Sequence, residues 1–317
     1  MTAAAETRSE TAHRSLIYHS PAEFLAAAVP YLCDGIADGA PVLAVLGEEN
    51  RWLAADALGA DAAEIDWADR GDWYRYPAQT MQRAREFTDR RGDRGGRVRL
   101  IGEPVWAGRS ALERTEWSRY ESLINVAFPG TSIVCAYDAR SLDESTVSSA
   151  ANTHPSILTG TATRSNPGYV DPATYFRRCD AQPLPAAPLD AAAMFFTDEL
   201  DAVRRFVAAA ADDARVDSDR TADLVIAVNE AASNAVEHGG GRGALRTWST
   251  PDELICEVTN PAGRISDPFP GHLPPDPLGN RGRGLWLIRQ LTDLTEIRSD
   301  PTGVTVRMRL ILDDHTA

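Results

Sequence analysis

Lysine is absent from this chain: all 32 basic residues among its 317 are arginine. That excludes a Walker A phosphate loop, whose lysine must reach the β- and γ-phosphates, and it excludes lysine Schiff-base chemistry. Cysteine is scarce, and the four present (Cys33, Cys135, Cys179, Cys256) form no CxxC pair. They read as buried reduced thiols and not as zinc ligands. No run of about 18 uncharged apolar residues occurs, so no membrane-spanning helix is expected. The opening MTAAAETRSETAHRS lacks a basic start followed by an apolar core. It reads as a disordered tail over residues 1–12 and not as a signal peptide, which places the protein in the cytoplasm. Positive charge is also short, 32 basic against 46 acidic residues for a net −14. Nucleic-acid binding requires phosphates to be neutralised, so nucleic acid is not expected as a partner; a partner with a basic surface is compatible.

What is present is a soluble globular composition, 43% hydrophobic and 25% charged, on a chain long enough for two domains. Residues 13–159 alternate short apolar runs with longer helical stretches. PVLAVL from Pro41, RVRLI from Arg97 and TSIVCAY from Thr131 read as buried strands. Strands alternating with helices predict an α/β layer with a mainly parallel sheet. Residues 160–188 are rich in proline and alanine without a sustained period and read as a linker, although PATYFRR could dock a short helix. Residues 189–312 predict two helices, two strands (ALRTWS, ELICEVTN), a Pro/Gly-rich loop over 261–283, a helix (GLWLIRQLTD) and two more strands (LTEIRS, VTVRMRLIL).

The second of those helices carries Glu230 and Asn234 four residues apart, neighbours on one face about 100° from its apolar stripe. An amide oxygen suits Mg²⁺, and a carboxylate one turn away could act on a hydroxyl attacking a phosphoryl group. The plain alternative is two solvated helix residues. Further along, GNRGRGLWLIRQL sets Gly279, Gly282 and Gly284 directly before an apolar helix. Glycines there let backbone N–H groups approach an anion at the positive end of a helix.

NEAASNAVEH, RGRGLWLI and GVTVRM, in that order, resemble the N box, second glycine box and final box of the GHKL superfamily of ATP-binding domains, which includes gyrase, histidine kinases and mismatch-repair ATPases. Within it the N box is similar to that of bacterial anti-sigma factor serine kinases, Glu-Ala-x-x-Asn-x-x-x-His-Gly. The resemblance covers roughly 191–312 and implies a Bergerat α/β sandwich that binds ATP and Mg²⁺. By that likeness Asn234 would hold Mg²⁺ and Glu230 would be the general base toward a serine hydroxyl. Gly282 and Gly284 would contact the phosphates, with Asn260, Gly263, Leu285 and Thr305 as the other cofactor-binding residues. The sequence departs from the family at Asn260, where an aspartate normally accepts from the adenine amine, and Gly263 stands one residue later than usual. An asparagine oxygen can still accept, without charge assistance.

HRSLIYHSPAEFL, RLIGEPVWAGRS, EWSRYESLIN, CAYD and NTHP together resemble the MEDS sensory domain. That likeness implies a RecA-like α/β layer with a sensory role, and no NTP hydrolysis in a chain without lysine. His19, Glu103, Trp106, Tyr137, Asp138 and His154 are the candidate ligand residues, several near strand ends, where open α/β sheets bind ligands. Each could instead be a capping or buried hydrogen-bonded side chain. The combined reading is a sensory domain controlling an anti-sigma serine kinase that acts on an anti-anti-sigma (STAS-type) protein and binds a sigma factor. A small-molecule signal and a homodimer are left open. The alternatives are a non-catalytic module that sequesters its partner, and a histidine-kinase-like protein. The latter is disfavoured because His154 precedes a proline and a loop.

Overall fold

The computed structural model describes residues 11–92, 97–275 and 282–312. The chain divides into two compact units, Met1–Tyr175 and Phe176–Ala317. Residues 1–10 of the expected tail lie outside the described residues, and Ala12 already belongs to a strand.

In the first unit the order is β1 (Ala12–Tyr18), α1 (Pro21–Ala37), β2 (Val42–Leu46), α2 (Glu48–Leu58), β3 (Asp66–Asp69), α3 (Arg70–Trp73) and α4 (Pro77–Gly92). Then follow β4 (Arg99–Gly102), α5 (Ala111–Ala127), β5 (Ser132–Asp138), α6 (Glu144–Thr153), β6 (Ser156–Thr159) and β7 (Ala162–Ser165). The sheet runs β3-β2-β4-β5-β1-β6-β7, and all its pairs are parallel except β6 with β7. A parallel sheet needs cover on both faces, and β2 is buried at every residue. On one face Phe24 and Leu32 of α1 and Ala54 of α2 pack against Leu16, Val42, Leu46 and Ile101. On the other, Ala84 of α4 and Trp117 and Tyr120 of α5 line a cavity with Val45, Leu100 and Ile133. Helix α5 starts with a reciprocal capping box between Ser110 and Glu113, which sets the phase of the helix.

The stretch 160–188, expected as a linker, contains β7 and a helix, α7 (Pro172–Asp180). Every residue of β7 is exposed, so no apolar alternation marks it; pairing with β6 makes the strand.

The second unit continues with β8 (Ala192–Phe196), α8 (Leu200–Asp213), α9 (Ser218–His238), β9 (Gly243–Ser249), β10 (Glu253–Asn260), α10 (Arg283–Leu291), β11 (Leu294–Asp300) and β12 (Gly303–Ile311). Its sheet, β11-β12-β10-β9-β8, is antiparallel throughout. The three helices contribute Val203, Val207, Leu224, Val228, Ala231, Ala235 and Ile288 to a core shared with Leu254, Cys256, Val258, Val306, Met308 and Leu310. Each fully buried Leu or Val in that layer is worth about 1.5–3 kcal/mol of transfer free energy. The opposite sheet face is ionic: Arg307 donates to Glu257 Oε2 at 3.0 Å and Arg309 to Glu296 Oε2 at 3.0 Å. Among the described residues no helix is long and apolar enough to cross a membrane.

Gly303 opens β12 at φ +142°, and a methyl group there would lie 2.1 Å from the Asn260 carbonyl oxygen. Gly303→Ala is therefore expected to destabilise the second unit by on the order of 3 kcal/mol, combining backbone strain with a main-chain clash. Hydrogen exchange under increasing urea should show faster opening of β10 and β12 while β2 and β5 keep their protection. Unchanged protection in β12 would contradict the packing described.

Candidate functional site

Asp217 caps α9 by accepting from the backbone N–H groups of Asp219 and Arg220, both at 3.0 Å, and the helix then runs unbroken to His238. Its small buried residues Ala227, Ala231, Ala232 and Ala235 let it lie close on the sheet. Glu230 and Asn234, both half-buried, stand beside that stripe. Gly284, in the first turn of α10, sits against them. A methyl group on Gly284 would lie 3.0 Å from Asn234 Nδ2 and 3.1 Å from Glu230 Oε2. Only glycine leaves that space open.

Asn234 Nδ2 is shut off from solvent and has no hydrogen-bond partner among the described residues. Buried amide nitrogens are normally satisfied, so this one fits an approaching anionic oxygen. Exchanging the two ends of the amide would present the oxygen instead, the atom a magnesium ion would use. The residues present thus suit a phosphate with its cation. Gly282 is the N-cap of α10 at φ +86°, a conformation that favours glycine, and none of the described residues crowds it. Leu285 packs partly into the core and against Gly271. Gly279 lies outside the described residues.

Asn260 ends β10 and is 7% exposed. Its Oδ1 accepts from the N–H groups of Ala262 at 3.0 Å and Gly263 at 3.1 Å, which fixes the amide orientation and turns Nδ2 toward Gly239 and Gly263. Gly239 sits at φ −120°, outside the left-handed region. It needs to be glycine because a methyl there would lie 1.5 Å from Asn260 Nδ2. A glycine directly after His238 also suits a helix stop, but the close approach of Asn260 is what requires it here. Asn260→Asp keeps an acceptor for the two amides and converts the donor end into a charged acceptor. It is expected to tighten ATP binding roughly tenfold. Calorimetry showing no change would remove Asn260 from the nucleotide pocket.

Thr305 lines a cleft with Asn260 but stands on the face of the sheet away from Glu230 and Asn234. Register pairs Asn260 with Val304 and Thr259 with Thr305. Alternation therefore puts Val304 on the helix-facing side, where it contacts the core, and turns Thr305 to the other face. Val304, 3.1 Å from where a Gly263 methyl would stand, takes the position expected of Thr305.

In the first unit the six candidates separate. His19 is exposed, 3.4 Å from Glu23, and Asp138 is held by two 2.8 Å bonds from Arg140. Those bonds, chiefly, pull the Asp138 carboxyl below the usual carboxylate range. Glu103 accepts from Tyr18 Oη at 3.2 Å, from Gly47 N at 2.8 Å and from Asn50 Nδ2 at 3.1 Å, and it pairs with Arg70 at 3.0 Å. Both its oxygens are engaged, and it ties together the C-terminal ends of β1, β2 and β4. Trp106, Tyr137 and His154 do gather: Trp106 stacks on Tyr137 with centroids 6.1 Å apart, and Tyr137 meets His154 edge-on at 5.6 Å. Tyr137 Oη donates to Glu121 Oε2 at 3.3 Å and His154 Nε2 lies 3.3 Å from the same oxygen; Glu121, which sequence reasoning did not single out, also stands beside His13 and Cys135. Glu121 and Cys135 also form part of the wall of an apolar cavity of about 50 Å³.

Comparison with known families matches each unit separately. Residues 12–155 match the MEDS family, the methanogen/methylotroph DcmR sensory domain, and residues 197–310 match the histidine kinase-like ATPase domain. No curated protein matches the chain. The chain joins a MEDS sensory domain to a histidine kinase-like ATPase domain, and the second of these implies that it binds ATP.

Proposed function

We propose that this chain is an ATP-dependent protein serine kinase of the anti-sigma type. Its substrate is a serine on a STAS-type anti-anti-sigma protein, its second partner a sigma factor, and its MEDS domain sets its activity in response to a small-molecule signal. The observation that carries the reading is the Glu230–Asn234 pair set against Gly284, with the buried Asn234 Nδ2 lacking a partner among the described residues. Asn234 would hold Mg²⁺, which when bound neutralises phosphate charge. Gly284, in the first turn of α10, brings the positive end of that helix to the pair, and Gly282 caps it. Glu230 has one proton to move: its carboxylate would accept the proton of the serine hydroxyl as that oxygen bonds to the γ-phosphorus and the bond from that phosphorus to ADP breaks. Both side chains stand on one helix, so their separation is fixed and the serine must be delivered to them.

A histidine-kinase reading needs an exposed acceptor histidine on a helical hairpin ahead of the ATP site. His154 is fully buried, and α7, the described helix nearest before β8, runs only from Pro172 to Asp180. Incubation with γ-labelled ATP and a serine-bearing STAS-type protein tests the proposal. Acid-stable label on the partner is expected. An acid-labile mark on the chain itself would favour the histidine reading, and no label with a stable complex would favour sequestration.

A further inference from the structure

His13 on β1, Glu121 on α5, Cys135 on β5 and His154 at the end of α6 are all buried, and their ligand atoms lie within 4.8 Å of one another. The outer nitrogens of both imidazoles are already committed. His154 Nδ1 lies 2.8 Å from the Ala150 carbonyl oxygen, which can only accept, so this nitrogen carries the hydrogen. Asn125 Nδ2 donates to the carbonyls of Ser122 and Thr153, both at 2.8 Å, which leaves Asn125 Oδ1 facing His13 Nδ1 at 3.2 Å. That nitrogen too must donate. Both Nε2 atoms therefore turn inward. His13 Nε2 is 3.3 Å from Cys135 Sγ and 3.7 Å from Glu121 Oε2. His154 Nε2 is 3.3 Å from the same carboxylate oxygen, without the alignment of a hydrogen bond.

Lone pairs of a neutral imidazole and a carboxylate repel at that distance in a dry interior, so a cation has to stand between them: a proton or a metal ion. Two imidazolium rings are excluded, since the ring centroids are 4.0 Å apart.

We propose that His13, Glu121, Cys135 and His154 form a closed tetrahedral site for a divalent metal ion of the zinc type. Zinc ligands at ~2.0–2.3 Å give tetrahedral edges of roughly 3.3–3.8 Å, which the three separations above match. A thiolate and a carboxylate bring two negative charges, so a divalent ion leaves the site neutral, and sulfur with imidazole selects zinc over magnesium or calcium. Asn125 and the Ala150 carbonyl are the outer partners that fix ring orientation at metal sites.

The test uses the full chain purified without an affinity tag. Elemental analysis is expected to find one zinc per chain, either as isolated or after incubation with zinc and gel filtration. Replacement by cobalt is expected to give thiolate-to-cobalt charge transfer and the intense visible bands of tetrahedral cobalt. Cys135→Ser should abolish the charge-transfer band, and Asn125→Ala should weaken zinc binding by about 10–100-fold, as loss of an outer partner does. If Cys135→Ser does not fold, the parent's metal content and cobalt spectrum still decide. Failure to retain zinc or cobalt under either condition, or a charge-transfer band that survives Cys135→Ser, overturns the site and leaves a proton-bridged His–Glu network. Either result is independent of phosphotransfer by the second unit.

Discussion

Glu230→Ala is expected to lower phosphotransfer to a serine by on the order of 10²–10⁴, the usual worth of a general base, while ATP affinity stays within a few-fold of the parent. The split follows from position. Glu230 is half-buried on the exposed side of the α9 apolar stripe, and among the described residues its carboxylate takes part in no hydrogen bond that holds the unit together. Removing it opens no cavity in the core and unsatisfies no described partner. Complex formation with the partner protein should survive for the same reason. Isothermal titration with ATP, alongside initial transfer rates on the same preparation, reads both quantities. A variant that transfers at the parental rate would take the base role from Glu230.

Asn234→Ala is expected to behave differently, losing Mg·ATP binding and transfer together. Asn234 is the pair's proposed binding member: its amide nitrogen is enclosed and unpartnered among the described residues, and Gly284 packs directly against it. Truncation removes both the donor and the metal-binding oxygen, and no neighbouring side chain replaces them. ATP affinity should fall by at least roughly 100-fold, corresponding to about 2.7 kcal/mol. Folding should be little changed, because the alanine that replaces it matches the small residues already on this face. Parental ATP affinity in Asn234→Ala would mean that the nucleotide binds elsewhere on the unit.

The two variants separate because the sequence places an acid and an amide one helical turn apart, and that much was readable from spacing alone. So were most elements of the second unit. β9, β10, α10, β11 and β12 fall within a residue or two of the runs that predicted them, because alternation and turn residues mark both ends. β8 was not readable: Ala192–Phe196 carries no alternation that separates it from the alanine- and proline-rich stretch before it, and only its pairing with β9 makes it a strand. β1 was hidden in a similar way. His13 and Ser15 look like surface residues in AHRSLIY, yet both are buried between β5 and β6.

Side assignment needs the register. Thr305 and Val304 are adjacent in sequence, and only the pairing of Asn260 with Val304 decides which of them faces α9. The His13–Glu121–Cys135–His154 cluster is further from reach, since its members come from four separate elements and share no spacing motif. Cys135 taken alone is a buried thiol in a strand. The parallel pairing of β1 with β5, which sets Ser15 against Cys135, brings His13 to it, and α5 lies across the same face with Glu121.

The central claim is that the second unit transfers a phosphoryl group from ATP to a partner's serine, with Glu230 as the base. The most direct measurement is mass spectrometry of a STAS-type anti-anti-sigma protein after incubation with Mg·ATP and either the parent chain or Glu230→Ala, both at saturating nucleotide. The account predicts one added phosphoryl group on a single serine with the parent, and essentially none over the same time with the variant. Phosphoserine formed equally by both, or by neither, would contradict it.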